Sequence, residues 1–426
     1  SAVLNRIVGQ NPSQIMGQLL SNGHVFVINP NGIVFGGNSI IDTQGLIAST
    51  LNLSNQDFLS GNYHFTAGPS AGNILNEGII RTGKDGNIIL IAPDIENSES
   101  GIISTEGGQI TLAAGQELTI TNLDSPDIQF QIQAPDNEAI NLGKVLSNGG
   151  AINLFAGTIT HSGELNANSV AVDEQGNIQL VAQQDITLTE NSITRVNSTI
   201  GDAGQITVMT EQGTTAHLGQ MEAKAENSGK GGGIQLLGKR VGLFDQAMIE
   251  ASGENGGGEI LIGGGFQGKN PEVKNATATF IAKNTQIHAD AISDGDGGKV
   301  IVWSDDSTKV HGQITAKAGI FSGNGGLIET SGNYLETDGA DIDASASNGR
   351  GGEWLLDPYN VTIFPFPLIP THFPSSSNGT FSAGDPDLWI PNDTPSRVLN
   401  ADINVRLNAG TSVTITTTSA DLTDVG

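Results

Sequence analysis

The residues best placed to do chemistry are carboxylates set close together: the adjacent pair Asp305-Asp306, and Asp341 with Asp343. Two such groups can divide acid and base duties in glycan cleavage. Adjacent residues of a strand, however, face opposite ways, and Asp341 and Asp343 flank Ile342 on what would be its solvent side. With only seven Arg and no cluster of base, Arg and aromatic sugar platforms, the expectation is no catalytic residue and no enzyme. Asp294-Gly295-Asp296-Gly297-Gly298 resembles part of a calcium loop but lacks the closing glutamate, so it reads as a solvated turn. The seven histidines, from His24 to His372, are too scattered for a zinc site. Gly263-Gly264-Gly265 lacks the Lys and Ser/Thr of a phosphate loop. No cofactor or metal is expected.

Elements that could position a site must come from an unusual composition. The 426 residues include 58 Gly, 20 aromatics and 15% charged residues, against about 25% charged in an ordinary domain. Short Ile, Val and Leu runs recur throughout, so the chain can still bury a core. A formal charge of −27 argues against nucleic acid and against docking on an anionic membrane, and favours a soluble monomer with acidic outer faces. No Cys occurs, which excludes a disulfide-stapled scaffold. Neither a signal peptide nor a transmembrane run is visible, and both ends fall in mid-pattern, as expected for a piece of a longer precursor.

A Gly-x-apolar step supplies the organisation. It recurs at Gly86/Ile88, Gly108/Ile110, Gly150/Ile152, Gly176/Ile178, Gly204/Ile206, Gly232/Ile234, Gly258/Ile260, Gly298/Val300, Gly326/Ile328 and Gly352/Trp354. Six of the nine intervals between apolar anchors are 26 to 28 residues. Each repeat resolves into three short alternating segments, such as Ile234-Gln235-Leu236, Val241-Gly242-Leu243-Phe244 and Met248-Ile249-Glu250-Ala251. The third recurs as apolar-x-small at Val196/Ser198, Met221/Ala223, Ile249/Ala251, Ile287/Ala289, Ile314/Ala316 and Ile342/Ala344. Period-two alternation means strands. Three strands cannot bury their apolar face alone, but stacked copies can, so the spacing predicts a right-handed parallel β-helix with coils from about Ile74 to Leu356. An all-β sandwich would leave the recurrence without a cause.

Two long intervals mark insertions. One, from Ser125-Pro126 to Ala134-Pro135, contains the alternating Ile128-Gln129-Phe130-Gln131-Ile132 and reads as an extra strand pair outside a coil; the other is the Gly-rich loop 263–275. Residues 357–397 hold eight of the fifteen Pro, with Tyr359, Phe364, Phe366, Phe373, Phe381 and Trp389, and read as an excursion. Strands should resume at Val405-Arg406-Leu407 and Val413-Thr414-Ile415-Thr416 within 398–426.

The most specific segment is Asn29-Pro30-Asn31-Gly32-Ile33, a turn between two apolar strands. Asn suits the first turn position, Pro presets φ at the second, and Gly closes it. Pro30 cannot donate to a sheet ladder, so the chain must leave the sheet there, with Ile28 and Ile33 turned inward and both Asn side chains bonded to freed backbone groups.

The ordered blocks Leu4-Asn5-Arg6-Ile7, Asn11-Pro12-Ser13-Gln14-Ile15, Gly17, Asn29 to Gly36 and Ala48-Ser49-Thr50 resemble the two-partner-secretion domain of filamentous-haemagglutinin-type exoproteins. Trp354-Leu355-Leu356-Asp357-Pro358 is similar to a segment recurring in adhesins of that family. The resemblance implies a secretion domain over 1–172, a β-helical shaft over 173–356, and export through an outer-membrane barrel transporter whose periplasmic domains recognise the N-terminal part. It implies that Asn29 to Ile33 belongs to the secretion signal or supports it, and that an Asn-Pro-Asn-Leu motif lies further upstream. It implies a secreted or surface-held adhesin of a Gram-negative-type bacterium, which could bind a host or neighbouring-cell receptor or glycan. A carrier of a distal toxin or haem-acquisition activity is the alternative; a glycan-active β-helix enzyme is the third reading.

Overall fold

The computed structural model describes residues 2–120, 128–131, 137–171, 174–364, 379–381, 389–391 and 396–417. The chain forms two compact units, residues 1–198 with 204–213, and residues 199–203 with 214–426. Among the described residues no helix is long and apolar enough to cross a membrane.

In the first unit, strand Ala2–Arg6 pairs in parallel with His24–Ile28, which pairs with Gly45–Ser49, and so on coil by coil. The glycine-anchored residues stack in register: Leu46 on Ile88, then Ile110, Ile152, Ile178 and Ile206, all at most 1% exposed. This is the expected parallel β-helix, but its coils begin at Ala2 and not at Ile74. The step is present at Gly23/Val25, but Leu46 follows Gly45 directly and lies only 21 residues on, so the first coils fall outside the 26–28 spacing. Glycine at the anchors permits close approach: a Cβ on Gly176 would lie 1.7 Å from the Ala167 carbonyl oxygen.

The expected extra strand pair belongs to something larger. Strands Asn52–Leu53, Tyr63–Thr66, Glu117–Ile120 and Ile128–Gln131 form a four-stranded antiparallel sheet outside the coils. The flanks Ser125-Pro126, Ile132 and Ala134-Pro135 lie outside the described residues. Leu53, Phe65, Leu118 and Ile120 of this sheet pack with outward-facing Phe26, Ile28, Ile47, Ile89 and Ile91 of the helix. Strands Gly45–Ser49 and Ile88–Ala92 are therefore buried on both faces, which explains why they read as unbroken apolar runs. Helix Asn55–Ser60 closes the edge, with Ser54 Oγ accepting from Asp57 N (3.0 Å) and Gly61 ending it at φ +73°.

Inside the helix the second strands carry a polar column that alternation alone does not reveal. Asn76, Asn97, Asn141 and His161, all fully buried, occupy one register position on successive coils. Asn76 Nδ2 donates to Asn97 Oδ1 and Asn97 Nδ2 to Asn141 Oδ1, each at 2.8 Å; Asn141 Nδ2 then meets His161 Nδ1 at 3.1 Å. His161 Nε2 lies 3.3 Å from the Ile193 carbonyl, so the ring is held neutral with its proton on Nε2.

The second unit repeats the plan. Ile234 stacks on Ile260, Val300, Ile328, Trp354 and Val413. The third strands Met248–Glu250, Gln286–His288, Gln313–Thr315 and Asp341–Asp343 stack likewise. In later coils the first two strands fuse into Lys299–Val310 and Leu327–Glu336, with a register shift between Ser304 and Ser307.

Two sequence expectations need correction. Val196 is not the counterpart of Met221. The third strand of its coil is Ile193–Arg195, with Thr194 turned inward at 1% exposure. The Val196 carbonyl accepts from Gly204 N, the bond that Ala223 makes with Gly232 and Ala251 with Gly258, so Val196 and Ser198 sit one inward step late. A polar Thr in the core slot moved the apparent pattern by two residues. Val405-Arg406-Leu407 is not a strand either: it lies in helix Asn400–Asn408. Val405 and Leu407 are each 51% exposed, so their alternation does not report burial, and three residues cannot separate the two periods. Ser412–Ile415 is a strand, paired with Glu353–Leu356. Between them, Val361–Phe364 pairs with Ser396–Leu399, and Gly379–Phe381 with Trp389–Pro391; Phe366 and Phe373 lie outside the described residues.

Candidate functional site

The turn after strand His24–Ile28 carries a dense set of hydrogen bonds. Ile28 and Ile33 are fully buried on either side of it, but Ile28, expected to turn inward, faces outward and is buried instead beneath the antiparallel sheet. Gly32 N donates to Asn29 O (3.1 Å), closing the turn around Pro30 and Asn31. Asn29 is fully buried, and its side chain uses both ends. Its Oδ1 accepts from Asn31 N and from Asn31 Nδ2, each at 3.0 Å. Its Nδ2 donates to Asn11 O (3.0 Å) and Ser13 Oγ (2.8 Å) on the preceding coil. Asn31 Nδ2 also reaches Gly9 O at 2.9 Å. The following coil joins from the other side, Gly72 N donating to Pro30 O (2.8 Å) and Ile33 N to Asn73 O (3.1 Å). Gly32 sits at φ +115°, where a side chain would be strained.

The arrangement thus ties three coils through one five-residue segment. Sequence reasoning singled out the turn but not its partners Gly9, Asn11, Ser13 and Gly72-Asn73. A usable signal exists, because Asn11-Pro12 and Asn29-Pro30 lie about one coil apart. Asn29→Ala would leave Asn11 O, Ser13 Oγ and Asn31 N without this partner, and should cost about 2–3 kcal/mol; Asn31→Ala should cost about 1–2 kcal/mol. Urea denaturation of the folded chain checks both, and equal costs for the two would contradict the central place given to Asn29.

The other candidates do not converge. Asp305 Oδ1 accepts from Trp303 Nε1 (3.1 Å) and Asn275 Nδ2 (2.9 Å), while Asp306 is exposed. Asp341 pairs with Arg406 (2.6 Å), and Asp343 accepts from Ser345 N (2.9 Å). Asp294 and Asp296 bond Ser322 and Asn324 of the next turn, 2.9 and 2.7 Å away. Among the described residues, no group of three His, Cys, Asp or Glu is placed to hold a metal ion.

A stacked-coil parallel β-helix with an antiparallel sheet laid over its first coils is the class of fold that the first unit defines. The chain belongs to the TPS secretion-domain family, that of two-partner-secretion exoproteins, whose family model matches residues 1–208. It is 36% identical to the HMW1 secretion domain from Haemophilus influenzae in its crystal structure, with a TM-score of 0.62 over 84% of this chain and 86% of that one. It is also similar to heme/hemopexin-binding proteins of Haemophilus influenzae, 34% identical over 130 residues in one and 39% over 75 in another. Those stretches cover 29% and 18% of this chain but only 14% and 8% of those proteins. Like other exoproteins of the family, the protein is secreted to the surface or surroundings of a Gram-negative bacterium.

Proposed function

We propose that this chain is the secretion module and first shaft coils of a large surface adhesin, exported through a cognate outer-membrane barrel whose periplasmic domains recognise the N-terminal coils. The observation that carries the reading is the buried Asn29 and its bonds across coils, in the segment that also matches the secretion-domain family. In this reading 1–172 is the recognised domain, 173–356 is shaft, 357–397 is an excursion from the coils, and 398–426 returns to them. The chain works as a non-enzymatic monomer, and three of its four paired carboxylates, Asp305, Asp341 and Asp343, are held in hydrogen bonds or an ion pair. Asn29 to Ile33 is scaffold for the recognised surface: every residue in it has a structural reason to be there.

The experiment follows export of the full-length protein carrying Asn31→Ala, together with binding of the folded fragment to the transporter's periplasmic domains. Scaffold predicts reduced stability and reduced export, with binding intact once the fragment is folded. Normal stability together with lost binding would instead make the turn the recognised element. A second reading, capture of a host haem protein by the whole exoprotein, is favoured by the similarity to heme/hemopexin-binding relatives. Pull-down of hemopexin by the full-length protein decides between them. Release of reducing sugar from surface glycans would support the enzymatic reading over both.

A further inference from the structure

The insertion at 263–275 lies in the second unit, between strands Glu259–Ile262 and Ala278–Ile281, and folds back over the outer face of the coils. Gly264 and Gly268 lie against the indole of Trp303, where a Cβ would come within 2.7 and 2.5 Å of the ring. At the far end Asn275 Nδ2 holds Gly268 O (3.0 Å) and Asp305 Oδ1 (2.9 Å). At the tip stands Gln267, a non-glycine residue at φ +53°. Its backbone N–H donates to the Glu329 carboxylate, 3.0 and 3.3 Å from the two oxygens, and its side-chain amide reaches Asp357 Oδ2 at 3.5 Å.

Glu329 is out of character with its place. It occupies an outward column in register with Ile301 and Leu355, and is itself 0% exposed against 0% and 6% for those neighbours. A carboxylate between two aliphatic side chains, closed over by a loop, loses its hydration when charged. We propose that residues 263–275 form a strap, latched by Glu329 while its carboxyl group is neutral and released when that group carries charge.

The groups around it set the direction. Burial raises the Glu329 carboxyl to about 7, against the pull of the Gln267 N–H and the Ser331 side chain. Asp357, which accepts from Thr416 Oγ1 at 2.7 Å, raises it further. Lys299 lowers it, although its ammonium is shared with Glu259 at 2.8 Å and stands 6.0 Å from the Phe266 ring centroid. On the strap itself, Lys269 is turned to Gln267 Oε1 (2.9 Å). The closed form binds the proton more tightly than the open form, so closure is favoured in acid and weakens as pH rises through about 7.

Hydrogen–deuterium exchange of the whole chain, corrected for intrinsic exchange rates, tests this at the Gln267 amide. Protection there should fall about tenfold between pH 6 and pH 8.5, the ratio expected when closed and open carboxyls titrate near 7 and 4.5. Protection in strand Lys299–Val310 should hold level. Glu329→Gln keeps the acceptor without the charge and should hold the strap closed across the range. Asp357→Asn provides a second variant, which should move the pH midpoint downward. A pH-independent Gln267 amide in the native chain, the same fall in Glu329→Gln, or a parallel fall in the strand would each overturn the proposal.

Discussion

Phe26→Ala is expected to destabilise the first unit by about 3–5 kcal/mol, the range for truncating a fully buried aromatic residue. Phe26 is 0% exposed, although it stands on the outer face of its strand. Its ring meets Phe58 edge-on at 5.1 Å and Tyr63 at 5.4 Å, both from the segment that forms the covering layer. The ring therefore joins the coils to the cover, and its loss opens a cavity between layers that meet along strands and cannot readily collapse. Leu59→Ala, on the same short helix but 83% exposed, should change stability by no more than about 0.5 kcal/mol. Denaturant titration of the two variants checks the contrast. A Phe26→Ala cost below about 1 kcal/mol would mean that the antiparallel sheet merely rests on the helix.

The second large effect lies in the internal polar column. Asn97→Ala removes the middle rung between Asn76 and Asn141, stranding a buried donor on one side and a buried acceptor on the other, and should cost about 3–4 kcal/mol. Its terminal member gives the column a pH signature. Burial lowers His161 to about 4, against the smaller opposing effect of its bonds to Ile193 and Asn141. The unfolded chain then binds a proton that the folded chain refuses, so this contribution is complete above about pH 6.5 and is lost as pH falls towards 4. The loss approaches about 3 kcal/mol at the acid end. His161→Asn continues the same column with an amide and should remove that part of the acid sensitivity. If native and variant chains lose stability in parallel between pH 7 and pH 4, His161 is not buried neutral as described.

The coil architecture was legible because glycine and Ile report it together. Each anchor needs a residue without Cβ beside a neighbouring backbone and an aliphatic side chain two places later, and that conjunction survives in Gly150/Ile152 or Gly326/Ile328 whatever else varies. The turn at Asn29 was legible for a similar reason, since Pro30 and Gly32 each restrict the backbone locally. What escaped depends on contacts between distant segments. Nothing near Ile89 tells that Leu118 will cover its outer face. Asn76, Asn97 and Asn141 look like turn residues until stacking places them in one column inside the helix. Glu329 reads as an ordinary outward charge because the loop that buries it lies some sixty residues earlier, at Gln267. The helix at Asn400–Asn408 reads as a strand because Val405 and Leu407, two places apart, imitate alternation although both are exposed.

The in-register stacking of coils also fixes how the protein answers a pull. Backbone hydrogen bonds join each coil to the next, so they point along the stacking direction and not across it. Tension applied along that direction loads the bonds of an end coil first, and they part a few at a time, as in opening a zip, while coils further in keep their bonds. Each released coil of 26 to 28 residues hands out roughly 90 Å of slack chain. The intact coil beneath it keeps the template on which that slack can wind back. A load carried through such coils would meet stepwise yielding and recovery, where a domain loaded across all its strands at once would hold and then break.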